Sequence, residues 1–196
     1  KQPQLGPYDG VIKVKGELDP RQIQMVLSCS AIEYLAGCPF AYFLKYVLQV
    51  RPPEDLVFDP DRWLPANERG NLLHELYCRF LRNLQERNEE VDPQVHEHLM
   101  KDMAAELIQE YAARIPPPGE LILETEVREI YQACDLFLQG HEEFRAYRPL
   151  MFEAPFGMGA SAVETAGYGL ADPLEIELQG GTTFWLRGVI DRIDRR

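Results

Sequence analysis

The chain turns on Leu186-Arg187-Gly188-Val189-Ile190-Asp191-Arg192-Ile193-Asp194-Arg195. An apolar strand breaks at a glycine and then carries two carboxylates three residues apart, among arginines. Buried strands avoid such charge, because an unpaired ionised carboxylate in an apolar site is very costly. A metal ion or a dedicated ion pair removes that cost. Strand alternation sets Asp191 with Val189 and Ile193, and Asp194 with Ile190 and Arg192. The two aspartates therefore face opposite sides and cannot both bind one ion. Asp191, nearer the glycine, is the better ligand candidate, and Asp194 is expected to pair with an arginine. Magnesium takes hard oxygen ligands and keeps several waters, so one or two protein carboxylates suffice for it.

Working outward, the strand closes a series of helices followed by strands. Leu73, Leu76, Tyr77, Phe80 and Leu84 recur at helical steps and predict a helix over 67–88. Further helices are expected over 30–36 and 39–48, meeting at Cys38-Pro39, from Asp92-Pro93 to about 113, and over 120–147. Strands are expected at 11–15, 150–156, 174–178 and 183–194, with 51–66 an irregular loop and 157–169 a mobile, glycine-rich one. Helices then strands, with acidic residues at strand ends, predict an α/β or α+β layered domain.

Two further residues stand out. His74 lies one turn after Gly70, beside the apolar stripe of its helix, where its imidazole can reach a cleft. The glycine would admit a close backbone or a phosphate. Glu153 interrupts the apolar strand Leu150–Phe156, and a solvent-facing edge carboxylate is the plainer alternative for it. His96, His98 and His141 sit among glutamates and read as ordinary surface groups.

Composition sets the bounds. The 196 residues, 45% apolar and 27% charged, suffice for one domain with a real core. A net charge of −12 argues against a protein that coats nucleic acid non-specifically, but not against a nuclease with a local basic strip. No apolar run is long enough for a membrane span, and no signal-peptide core precedes the domain, so a cytoplasmic protein is expected. The start at Lys1 without methionine suggests a piece of a longer chain. Cys29, Cys38, Cys78 and Cys134 contain no C-x-x-C pair, which makes a self-contained zinc site improbable. Cys78 and Cys134 are expected in the core.

Ser28-Cys29-Ser30-Ala31-Ile32-Glu33-Tyr34-Leu35, then Cys38-Pro39-Phe40-Ala41-Tyr42-Phe43-Leu44, resembles the opening of RecB-like nuclease domains of the PD-(D/E)xK superfamily, most closely the AddB-type subunits of helicase–nuclease complexes. Tyr8-Asp9-Gly10-Val11, Gly70 to His74, Glu153 before Phe156, and Gly188 to Asp194 follow in the order such domains show. The resemblance implies a restriction-endonuclease-like core, a mixed sheet flanked by helices, with residues 1–27 as lead-in and 28–196 as the N-terminal majority of the nuclease domain.

It also implies a magnesium- or manganese-dependent deoxyribonuclease of recombination and double-strand-break repair, acting with a helicase or nuclease partner subunit. His74 and Asp191 would be the metal ligands and Glu153 an accessory catalytic carboxylate. The (D/E)-x-K strand of such domains, with its second carboxylate and water-orienting lysine, would lie just past Arg196. This chain alone is therefore expected to be incomplete at one sheet edge, open to homodimer pairing there, and to have little or no nuclease activity. Many AddB-type domains hold a four-iron cluster, and Cys38 fits its first ligand. One cysteine cannot hold a cluster, so it belongs to the parent and is not expected here. Cys38 can equally be a small buried residue at a helix corner. Two other functions stay open: a catalytically inactive nuclease fold that binds DNA ends or acts as a scaffold, and an acidic protein-interaction domain.

Overall fold

A computed structural model describes residues 25–51, 59–143 and 147–195. The strand expected at 11–15 and most of the 1–27 lead-in lie outside them. The chain packs as two compact units, Lys1–Pro53 with Glu153–Asp191, and Glu54–Phe152 with Arg192–Arg196. Among the described residues there are six α-helices and one mixed sheet of four strands, an α/β restriction-endonuclease-like architecture.

The first unit is built on the sheet. Its spine is strand β4 (Thr183–Arg195), which lies between β1 (Val26–Ser28) and β2 (Arg148–Phe156), with β3 (Leu174–Glu177) also paired to it. β1 (Val26–Ser28) runs parallel to β4, with Leu27 opposite Leu186. β3 (Leu174–Glu177) runs antiparallel, with Ile176 opposite Phe184. Ser28 ends β1 and caps helix α1 (Cys29–Gly37), its Oγ accepting from the Ala31 N–H at 3.2 Å. Such a cap satisfies a donor that the first helical turn leaves open. Pro39 occupies the first turn of α2 (Pro39–Tyr42), where its missing N–H costs nothing. The chain then widens into a π-helical turn, Phe43–Val47. Leu27, Ala31 and Tyr42 form a small core here, with Phe184 of β4 packed on it.

Two expectations about this unit are corrected. The strand does not break at Gly188, for β4 runs straight through it. A Cβ at Gly188 would stand 3.1 Å from the Phe156 ring, so the glycine is there to let that ring lie against the strand. Nor is 157–169 simply a loop, since it holds helix α6 (Ala160–Ala166). Alanine is the best helix former. Gly167, at φ +79°, supplies the left-handed stop, its N–H bonded to the Val163 carbonyl at 2.8 Å. The glycines that suggested a loop are helix punctuation.

The second unit is a helical layer of α3 (Ala66–Glu86), α4 (Pro93–Arg114) and α5 (Glu120–Glu143). Leu72, Leu76, Phe80 and Leu84 are fully buried along α3, against Met100, Ala104 and Leu107 of α4 and Ile130, Cys134 and Leu138 of α5. The stripe is thus centred on Leu72 and Leu76, with Leu73 and Tyr77 at its margin. Trp63 Nε1 donates to the Ile115 carbonyl at 2.7 Å, tying the approach to α3 to the end of α4. From α3, Arg82 and Gln85 donate to the Phe152 and Leu150 carbonyls of β2 (Arg148–Phe156), each at 3.2 Å.

The cysteines divide as this packing dictates. Cys134 is buried as expected and Cys78 is half-buried, whereas Cys29 and Cys38 are exposed. Cys38 is therefore not the buried corner residue that the sequence allowed. Burial, reinforced by Asp135, pushes the Cys134 thiol up to about 11. In native protein treated with maleimide, Cys29 and Cys38 should label first and Cys134 only after unfolding, because the reacting species is the accessible thiolate. Mass spectrometry of the alkylated peptides checks this, and fast labelling of Cys134 would contradict the packing.

Candidate metal centre

Glu153 and Asp191, both in the first unit, are brought together. Each offers a carboxylate oxygen, and these atoms lie within 4.8 Å of each other. Glu153 is half-buried and Asp191 exposed. Two hard oxygen donors at this separation match what a divalent cation of the magnesium class requires of a protein. The donor chemistry therefore fits such an ion.

Strand alternation already sets Glu153 opposite the buried Phe152 and Ala154, and its backbone adds a further feature. Glu153 has φ +54°, the left-handed region, in the middle of a strand. Burial alternates through Phe152, Glu153 and Ala154 and is lost at Pro155, where Ala154, Pro155 and Phe156 are all buried in a row. A non-glycine residue pays about 1–2 kcal/mol for this conformation. Strain of this kind persists only where the surroundings impose it, and it clusters at functional sites. Glu153→Gly should then be more stable than Glu153→Ala by roughly 1 kcal/mol in urea unfolding, although both lose the carboxylate and glycine has the freer unfolded chain. Equal midpoints for the two variants would mean that the backbone there is unstrained.

The other expected residues fall as follows. His74 is exposed on α3, in the second unit. A Cβ at Gly70 would meet nothing within 4 Å, so no neighbouring backbone requires that glycine. Asp194 pairs with an arginine as expected, receiving Arg192 Nε at 2.6 Å on Oδ1. Cys38 lies exposed between α1 and α2, its N–H bonded to the Tyr34 carbonyl at 2.9 Å.

Two histidines read as ordinary surface groups are not. His96 is only 5% exposed. Its Nδ1 accepts the Asp92 N–H at 3.0 Å, so Nε2 carries the proton and donates to Glu89 at 3.1 Å. It locks the connection between α3 and α4. The available signal was its place four residues after the Asp92 cap, which brings the ring back over the helix start. His141 is half-buried and meets Phe137 edge-on, with centroids 4.7 Å apart. Its Nε2 accepts from Arg192 Nη1 at 3.1 Å. Burial and then the Arg192 charge hold its imidazole below the usual histidine range, against a smaller opposing pull from Asp194. No local pattern marks His141, because its partner is 51 residues away.

A mixed sheet with paired carboxylates on adjacent strands, flanked by helices, defines a nuclease-type α/β core, and residues 26–196 match the family model of the PD-(D/E)XK nuclease superfamily. The chain belongs to that superfamily. Among similar proteins are several named as a subunit of an ATP-dependent helicase/deoxyribonuclease, of the AddB type. The one from Symbiobacterium thermophilum is 26% identical over 181 residues, 87% of this chain and 14% of that protein. The one from Caldanaerobacter subterraneus subsp. tengcongensis is 27% identical over 199 residues, 95% of this chain and 16% of that protein. The one from Clostridium tetani is 26% identical over 174 residues, 86% of this chain and 14% of that protein. The chain thus spans about a seventh of the length of these relatives.

Proposed function

We propose that this chain carries the cation-holding part of a DNA-cleaving nuclease domain. Asp191 serves as a ligand and Glu153 as the accessory carboxylate for one magnesium or manganese ion. The observation that carries the reading is the approach of the Glu153 and Asp191 carboxylates in a chain of this superfamily. When bound, the ion supplies an acidified water and charge neutralisation at a phosphoryl group. The residues do the holding. Asp191 presents its carboxylate from a long strand, and Glu153 offers its own from the adjacent one.

The names of the relatives, subunits B of an ATP-dependent helicase/deoxyribonuclease, support DNA as substrate and a helicase or nuclease partner subunit, and we place the activity in recombination and double-strand-break repair. Among the described residues no helix is long and apolar enough to cross a membrane, and we read the protein as cytoplasmic. Cys38, exposed, would serve as one thiolate of a 4Fe–4S cluster only with cysteines from elsewhere in a longer chain. Cys134, in the helical core, is not available to it, and such a cluster takes four ligands. Homodimer pairing along a strand edge is tested by light scattering.

The function itself is tested with the protein at its full natural length and end-labelled DNA, with and without magnesium. Cation-dependent shortening of the DNA, lost on chelation and in Glu153→Gln, is the expected result. Intact DNA despite cation binding would move the function to DNA-end binding without cleavage.

A further inference from the structure

Next to Asp191 in the chain stands an arginine held on two sides. Arg192 Nε donates to Asp194 Oδ1 at 2.6 Å, and Nη1 donates to His141 Nε2 at 3.1 Å. Arginine has no acceptor, so the imidazole accepts, with its proton on Nδ1 and no charge of its own. The lowered proton affinity of His141 agrees with that state. His141 is itself anchored. Its ring meets Phe137 edge-on, Phe137 stacks on Tyr77 at 4.0 Å, and the Tyr77 hydroxyl donates to the Ala133 carbonyl at 3.3 Å. A packed column from α3 and α5 therefore ends on one guanidinium of β4.

We propose that Arg192, clamped between Asp194 and His141, is a positioning residue that holds the end of β4 so that Asp191 presents its carboxylate in one orientation. The inference rests on the reading of Asp191 as a cation ligand. Side chains alternate along the strand, so Arg192 points away from Asp191 and acts through the backbone alone. Strand ends open easily unless tied down. A ligand that wanders must be ordered when the ion binds, and that cost lowers affinity. The planar guanidinium can serve a carboxylate and an imidazole at once. A lysine ammonium at the end of a flexible stem lacks that fixed geometry.

The test measures manganese affinity by titration calorimetry and amide exchange of residues 190–194 by mass spectrometry, in this chain. His141→Ala and Arg192→Lys should each weaken manganese binding about tenfold, the low end for groups that support a ligand from outside, and should speed exchange at 190–194. His141→Gln, whose amide oxygen can accept from Arg192, should restore both to near the parent values. Asp191→Asn separates the two claims. If it loses manganese while His141→Ala and Arg192→Lys bind and exchange like the parent, the brace is wrong and the site stands. If Asp191→Asn binds manganese unchanged, the site is wrong. If His141→Gln behaves like His141→Ala, the ring packs rather than accepts, and the proposal falls.

Discussion

Asp191→Asn should weaken manganese or magnesium binding by at least about a hundredfold and leave the unfolding midpoint of the metal-free protein nearly unchanged. The substitution keeps the side chain's shape and one oxygen but removes one of the two negative charges facing the ion. Near a protein surface a unit charge pair about 4 Å apart interacts by about 4 kcal/mol at an effective dielectric of 20. A doubly charged ion at ligand distance exceeds that figure, and the exposure of Asp191 reduces it. A hundredfold loss is thus a restrained expectation. Stability should hold because Asp191 is exposed on its strand and contributes nothing to the buried core. Calorimetric titration gives the affinity and thermal unfolding gives the midpoint. Undiminished binding would move the ion elsewhere.

Phe80→Ala should cost the second unit about 3–5 kcal/mol, the range for removing a buried aromatic ring without full collapse of the cavity. Phe80 is 0% exposed, near the centre of the α3 stripe. Its ring meets Phe137 of α5 edge-on at 6.3 Å and His96 of α4 at 6.2 Å, so one side chain touches both neighbouring helices. No rotation of a single helix refills that space. Domains are stable by only about 5–15 kcal/mol in total, so a large share of the unit's stability goes with the ring. Urea unfolding followed by circular dichroism, which reports the helices, would show the loss as an early transition. A change below about 1 kcal/mol would mean that the helices repack freely, contrary to close-packed interiors.

Helices α1 to α5 were legible in the sequence to within a few residues, and α6 was not, because its flanking glycines read as a loop. Ser28, Pro39 and Asp92 announce their starts through capping and proline rules that act within four residues. The 3.6-residue recurrence from Leu72 to Leu84 is likewise local. Three strands, read as 150–156, 174–178 and 183–194, were legible for the same reason and run over 148–156, 174–177 and 183–195, whereas the short β1 was not expected. The candidate ligands Asp191, Glu153 and His74 were legible as polar residues out of keeping with their surroundings.

What the sequence by itself determined is therefore the five longer helical segments and three of the strands, their order, and the family resemblance. Only the tertiary structure decided what Gly188 is for, because its reason is the Phe156 ring, 32 positions away. Only it revealed that Glu153 takes a left-handed backbone within its strand, since nothing in glutamate's own preferences favours φ +54°. Only it took His141 from a polar surface to a hydrogen bond with Arg192. Periodicity, caps and turn residues act over a few residues and can be read along the chain. Close approach, imposed strain and hydrogen bonds between distant elements depend on which surfaces meet, and that exists only once the chain has folded.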